Sequence, residues 1–237
     1  MILRRVIEHV KDQNWTAIAL DFVIVVVGVF IGIQVSNWNA ARADRETERI
    51  ILSRLKSDFS QIVETEQHYL QIVERAEAGA LALLDNATSD KLPEDTESLC
   101  AAMNPPRAFR PAPPPSATYE QLVANGDMRL ITDEPLRLAL AEFESQRNQH
   151  VIFFDMAMAT SLTLAQPFWH AVDICDAALR ASEDRFAKRV GEMVASPEFA
   201  GAVSGLLTQH RNALRAHRAT KTQAEHVLSL LEGAVGP

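Results

Sequence analysis

Between Thr16 and Val35 the chain reads TAIALDFVIVVVGVFIGIQV, twenty residues in which only Thr16, Asp21 and Gln34 are polar. A helix rises 1.5 Å per residue, so a run of this length matches the roughly 30 Å hydrocarbon core of a bilayer. Trp15 and Trp38 bracket it, where amphipathic aromatic rings anchor a span at the two interfaces. A cleaved signal peptide would carry a shorter apolar region followed by a small-residue cleavage site. Gln34, Asn37, Trp38 and Asn39 follow here instead. The competing arrangement is a buried core helix of a soluble protein, but uninterrupted runs of this length mostly cross membranes. The run predicts one transmembrane helix over residues 15–38, in contact with a lipid bilayer.

Asp21, Gly28 and Gly32 fall on one stripe of that helix at 100° per residue. Gly28 and Gly32 form a small-xxx-small pair, which lets two backbones approach closely in lipid. An intramembrane carboxylate is costly unless it is paired, protonated or close to the interface. The stripe therefore reads either as an anchor with a tolerated interfacial aspartate or as a helix-packing face toward a protein partner or a second copy.

The same stretch resembles an uncharacterised family of bacterial single-span membrane proteins. In that family an acidic residue opens an apolar run, a glycine sits seven residues on, and a glutamine leads into Asn-Trp-Asn. Asp21, Gly28, Gln34, Asn37, Trp38 and Asn39 occupy those positions. A second resemblance lies in TYEQLVANGDMRLITDEPLRLALAEFE, residues 118–144, which is similar to the family's helix, Asn-Gly turn and long following helix. The resemblance implies architecture and membrane attachment, and no activity.

The net charge of −8 argues against a nucleic-acid partner, which normally demands a basic surface. Basic residues flank the span on both sides: Arg4, Arg5 and Lys11 before it, Arg42, Arg45, Arg49, Arg54 and Lys56 after it. A count alone places the carboxy-terminal side in the cytoplasm. A short basic tail before a first span usually stays inside, however, and long domains translocate largely regardless of charge. The two cysteines, Cys100 and Cys175, both follow the span and suit either one disulfide in an oxidising compartment or two buried thiols. The expectation is a single-pass protein of the bacterial inner membrane, tail cytoplasmic and domain periplasmic.

Residues 2–10, ILRRVIEHV, alternate apolar and charged groups at helical spacing and predict a short interfacial helix within a tail of residues 1–14. Beyond the span, positions 52, 55, 59, 62, 69, 73, 76, 80 and 83 hold apolar residues or tyrosine in a 4-3 repeat, interrupted by Glu48 and Glu66. Such a stripe serves a coiled-coil seam or the core face of a bundle helix. The helices that follow favour the bundle, with a long amphipathic helix over 39–86. Six of the eleven prolines lie in PPRAFRPAPPP, residues 105–115, which predicts an extended linker or strap within 87–117. The stretch 118–237 then predicts helices over about 119–124, 133–165, 168–181, 183–195 and 197–231. These are punctuated by Asn125-Gly126, Thr132 or Asp133 as a cap with Pro135, Gln166-Pro167 and Ser196-Pro197. No alternating β-branched run appears, so the fold class is all-α: a span continuing into a long helix, then an antiparallel helical bundle.

Residues that carry chemistry are sparse. Seven histidines are scattered, and none forms the His-x-x-x-His or Glu-x-x-His pair that sets two metal ligands on one helix face. His170, Asp173, Cys175 and Asp176 lie close in sequence, but Cys175 points to another face. GAVSG, residues 201–205, lacks nucleophile-elbow spacing. Neither catalytic residues nor a cofactor or metal site is expected, and the chain does not read as an enzyme. Arg211, Arg215, Arg218 and Lys221 make a basic stripe on the last helix, read as a solvated face or as partners for Glu64, Glu74 and Glu77. The functional expectation is a membrane-anchored accessory or scaffold protein working through helix–helix and protein–protein contacts. The alternative is a periplasmic sensing module that binds a small ligand between helices and signals through a partner.

Overall fold

The computed structural model describes residues 15–88, 96–181 and 184–235, which contain seven α-helices and no strand. They are α1 (Trp15–Thr88), α2 (Thr96–Ala102), α3 (Ala117–Asn125), α4 (Glu134–Leu164), α5 (Gln166–Ala181), α6 (Asp184–Val194) and α7 (Pro197–Val235). The interfacial helix expected over residues 2–10 lies outside the described residues. Two compact units divide the chain, Met1–Ile50 and Ile51–Pro237.

In the first unit, every side chain from Phe22 to Thr47 is exposed, including the apolar ones from Phe22 to Val35. Among the described residues, this is the one unbroken helix long and apolar enough to cross a membrane. Lipid would satisfy such a surface and water would not.

The second unit is organised by three long helices: the stretch of α1 from Ile51 onward, α4 and α7. Leu52, Leu55, Phe59, Ile62, Val73, Ala76, Ala80 and Leu83 are buried along one face of α1, and Tyr69 is half-buried. The 4-3 repeat thus marks a bundle face. Phe59 meets Phe143 of α4 edge to face at 4.8 Å between ring centres, and Glu66 lies opposite His150 one heptad further on. Both pairs advance together, so α1 and α4 run parallel. Glu66 meets His217 while Glu77 meets Arg211, so α7 runs against α1. The uniformly antiparallel bundle expected from sequence is therefore corrected to two parallel helices with an antiparallel third.

Parallel neighbours need a long return connection, and the proline-rich stretch supplies it. Pro105 abuts Gly79 of α1, where an added Cβ would lie 2.6 Å from Pro105 Cβ. At the other end Ser116 donates to Asp58 Oδ2 at 2.8 Å. The 21 steps of α1 from Asp58 to Gly79 span about 32 Å at helical rise. From Pro105 to Ser116 the chain covers about 31 Å, as a 3-10 turn over Pro105–Arg107 rising ~2 Å per residue and then eight steps at polyproline rise. The strap therefore runs back along α1 as a 3-10 turn followed by extended chain, pinned near its Ser116 end by Arg147, whose Nε donates to the Pro113 carbonyl at 2.8 Å. The stretch 87–117 is not all linker, since the two-turn helix α2 lies inside it, too short to show a repeat.

Local signals account for the helix ends. Gly126 takes the left-handed conformation at φ 73° and closes α3, as its Asn-Gly turn predicts. The Asp133 carboxylate accepts from the Leu136 amide and caps α4, with a proline in the first turn. Ser196 caps α7 by accepting from the Phe199 amide. At Ala165 the chain bends by 75° from α4 into α5. There α2, α5, α6 and the start of α7 bury Phe168, Phe199 and Leu206 in a second apolar cluster.

Candidate functional site

Glu66 occupies a core position of α1 and is fully buried. Around it lie His150 of α4 and His217 of α7, at 2 % and 0 % exposure. His217 Nδ1 is 2.6 Å from Glu66 Oε2, a short hydrogen bond. His150 Nδ1 stands 4.0 Å from Glu66 Oε1, too far for one. The two imidazoles meet edge to face at 4.3 Å between centres, and Tyr69 borders His217 at 5.8 Å.

The tautomer of His150 follows from its neighbour. Thr220 Oγ1 donates its single proton to the Ala216 carbonyl at 3.0 Å, and His150 Nδ1 lies 3.1 Å from the same oxygen. The hydroxyl can only accept there, so Nδ1 carries the proton. Burial holds His150 neutral, lowering its pKa to about 3, with the His217 ring and Arg147 adding to the effect. Burial also pushes the Glu66 carboxyl above the usual carboxylate range, against the hydrogen bond and charge of His217. Glu66 Oε1 and His217 Nε2 are buried with no hydrogen-bond partner in the protein. One ligand-capable atom from each residue lies within 4.8 Å of the other two. This trio separates the apolar layer around Phe59 and Phe143 from a smaller one around Leu70, Val73 and Leu214.

A second buried histidine belongs to the strap. His210 Nε2 donates to the Pro106 carbonyl at 2.9 Å, and Phe109 covers the ring at 4.6 Å. Burial lowers its pKa, opposed by that hydrogen bond and by Glu77.

The residues singled out in the sequence fall elsewhere. Cys100 and Cys175 are joined by a disulfide, with Cα atoms 5.4 Å apart, which ties α2 to α5. Cys175 therefore offers no thiolate beside His170 and Asp173, and Asp176 pairs with Arg107 at 3.5 Å. In the basic stripe, Arg211 pairs with Glu77 at 3.0 Å and Arg218 with Glu74 at 3.1 Å. Arg215 donates to Asn212 and Lys221 pairs with Glu225. The stripe is a solvated ladder alongside α1. Gly28 and Gly32 have nothing within 4 Å of an added Cβ, and Trp38 is exposed. The side chains of Trp15 and Asp21 lie outside the described residues. The Glu66–His150–His217 trio was not foreseen, although Glu66 was visible as a charged residue in an apolar repeat.

Fold and site together define an all-α protein: one exposed apolar helix able to cross a membrane, and a helical bundle with a carboxylate and two imidazoles in its core. The chain belongs to a family of unknown function (DUF6090), which it matches over residues 21–159. No curated protein and no solved structure matches it.

Proposed function

We propose that this chain is a membrane-anchored accessory or scaffold protein of the bacterial inner membrane, acting through helix–helix and protein–protein contacts rather than by catalysis. The observation that carries the reading is the fully exposed apolar surface from Phe22 to Val35, on the same chain as a bundle that fills its own core. The bundle has no need of that surface; a bilayer has. The Gly28–Gly32 face is open and offers a second helix close backbone approach. The Cys100–Cys175 bond favours an oxidising compartment, hence a cytoplasmic tail and a periplasmic bundle.

Two measurements test this. Alkaline phosphatase fused after Pro237 should be active, and a fluorescent cytoplasmic reporter at the same site dark; the opposite pattern would overturn the orientation. In-membrane crosslinking of the full chain should fall in Gly28→Ile and Gly32→Ile. Unchanged crosslinking in both, or none in the wild type, would reduce the span to a plain anchor.

A further inference from the structure

We propose that Glu66, His150 and His217 form a binding site for one zinc-class divalent metal ion, which pins α1, α4 and α7 together in the middle of the bundle. The proposal is independent of the accessory role. Two imidazoles and one carboxylate are a donor set for borderline transition ions, and hard oxygen-seeking ions such as magnesium and calcium select against it.

Geometry supports the assignment. Ligands around a tetrahedral ion with bonds of ~2.0 Å stand ~3.3 Å apart. Here the carboxylate oxygens lie 2.6 Å from His217 Nδ1 and 4.0 Å from His150 Nδ1, on either side of that separation. All three donor atoms lie within 4.8 Å of one another, so rotamer shifts of about 1–1.5 Å would bring them to bonding distance of one ion. The 4.0 Å gap between Glu66 Oε1 and His150 Nδ1 joins two buried atoms that do not hydrogen-bond, and Oε1 has no other partner. An unsatisfied carboxylate oxygen at zero exposure calls for a proton, a water or a cation. A cation also explains why three polar side chains from three helices converge there, since each alone would weaken the core. Thr220 Oγ1 accepts the His150 Nδ1 proton at 3.1 Å in the metal-free protein, so an ion takes that nitrogen only as the imidazole moves its proton to Nε2. The ligands are 0–2 % exposed, so the ion would serve as a structural staple.

The full chain, purified in detergent and stripped with chelator, is titrated with cobalt(II), whose visible d–d bands report a low-symmetry nitrogen and oxygen environment. The expected result is one equivalent bound, displaced by zinc(II) and not by magnesium, with zinc raising the thermal midpoint of the bundle. His150→Gln and Glu66→Gln, checked for helicity by circular dichroism, should weaken cobalt binding by ~100-fold or more, since even outer-shell losses cost ~10–100-fold. If a variant fails to fold, the zinc-induced midpoint shift of the wild type decides. A folded wild type with neither bands nor shift overturns the site. So do bands that survive in folded variants, which would trace to surface histidines.

Discussion

Gly79 offers the sharpest test of how the strap is seated. In an unobstructed helix, alanine is favoured over glycine by about 1 kcal/mol. At Gly79 an added Cβ would meet Pro105 Cβ at 2.6 Å, with Pro105 Cγ and Pro106 Cδ both at 3.2 Å. Carbon atoms rest comfortably at ~3.5–4.0 Å, so the shortfall is about 1 Å. A proline ring has no free torsion to swing away, and the strap is held by His210 at Pro106 and by Arg147 at Pro113. Overpacking of this kind costs ~1–3 kcal/mol. Gly79→Ala should therefore destabilise the bundle by about 1 kcal/mol net, despite the gain in helix propensity. Gly201 and Gly205 of α7 are exposed with nothing within 4 Å, so alanine there should stabilise by about 1 kcal/mol. The gap between the two classes is about 2 kcal/mol, or ~4–8 °C in thermal midpoint for a protein of this size. Thermal unfolding of the full chain in detergent, disulfide intact and followed by circular dichroism, reads that gap. Adding Pro105→Gly to Gly79→Ala should recover ~1 kcal/mol beyond additivity, because the two changes act on one contact. If Gly79→Ala stabilises as much as Gly205→Ala, the strap does not lie on α1 as described.

Four further outcomes are expected. Asp58→Ala should cost ~1–2 kcal/mol in chemical denaturation, because Asp58 Oδ2 accepts from Ser116 Oγ and the Thr118 amide and so holds the cap of α3; a loss below about 0.3 kcal/mol would refute that role. Reducing Cys100–Cys175, which are 75 residues apart, should lower stability by ~2–4 kcal/mol on loop-entropy grounds; identical denaturation midpoints with and without reductant would argue against the bond in the folded protein. His210 is held neutral on folding while its unfolded pKa is near 6.5, so the unfolded state binds more protons in acid. Its share of stability is intact above pH 6.5 and declines as pH falls below it, and His210→Gln, which keeps a donor for the Pro106 carbonyl, should flatten that slope. Replacing Glu66, His150 and His217 together by leucine should leave the protein helical and, with both proteins stripped of metal, equally or more stable in denaturant, while narrowing its amide chemical-shift dispersion; dispersion as wide as the wild type would show that the trio contributes nothing to uniqueness.

The parts of the fold that depend on local chemistry were legible in the sequence. The membrane helix follows from composition and length, and the face of α1 from its 4-3 repeat. The ends of α3, α4 and α7 follow from glycine, aspartate, serine and proline at fixed offsets. The parallel course of α1 and α4 was not legible, because periodicity states which face is buried and not which way a neighbour runs. Proline density pointed to a strap, yet its length carries meaning only once both of its ends are placed. The trio was hidden for a related reason: Glu66, His150 and His217 sit on three helices, so no local spacing links them. A signal did exist. Glu66 lies in phase with Ile62, Tyr69 and Val73, and His210 and His217 lie in phase with Ala224 and Leu231, all four of which are buried. A charged or titratable residue on a core stripe needs a partner from another stripe, and only a few candidates were available.

That phase relation bears on what the trio contributes to folding. Heptad-like stripes resemble themselves after a shift of seven residues, so apolar packing alone discriminates weakly between neighbouring registers of α7 on α1. A slip one way would set Glu66 against Ala224 and leave a buried carboxylate without a donor. That arrangement costs several kcal/mol even if the carboxyl takes up a proton. A slip the other way would offer it His210, but at the expense of the hydrogen bond from His210 to Pro106 that holds the strap. His150 fixes α4 in the same way, because its Nδ1 proton finds an acceptor only while Thr220 of α7 stands opposite. A burial that weakens the core locally thus penalises the misregistered bundles more than the native one, and the penalty falls where three helices must agree at once.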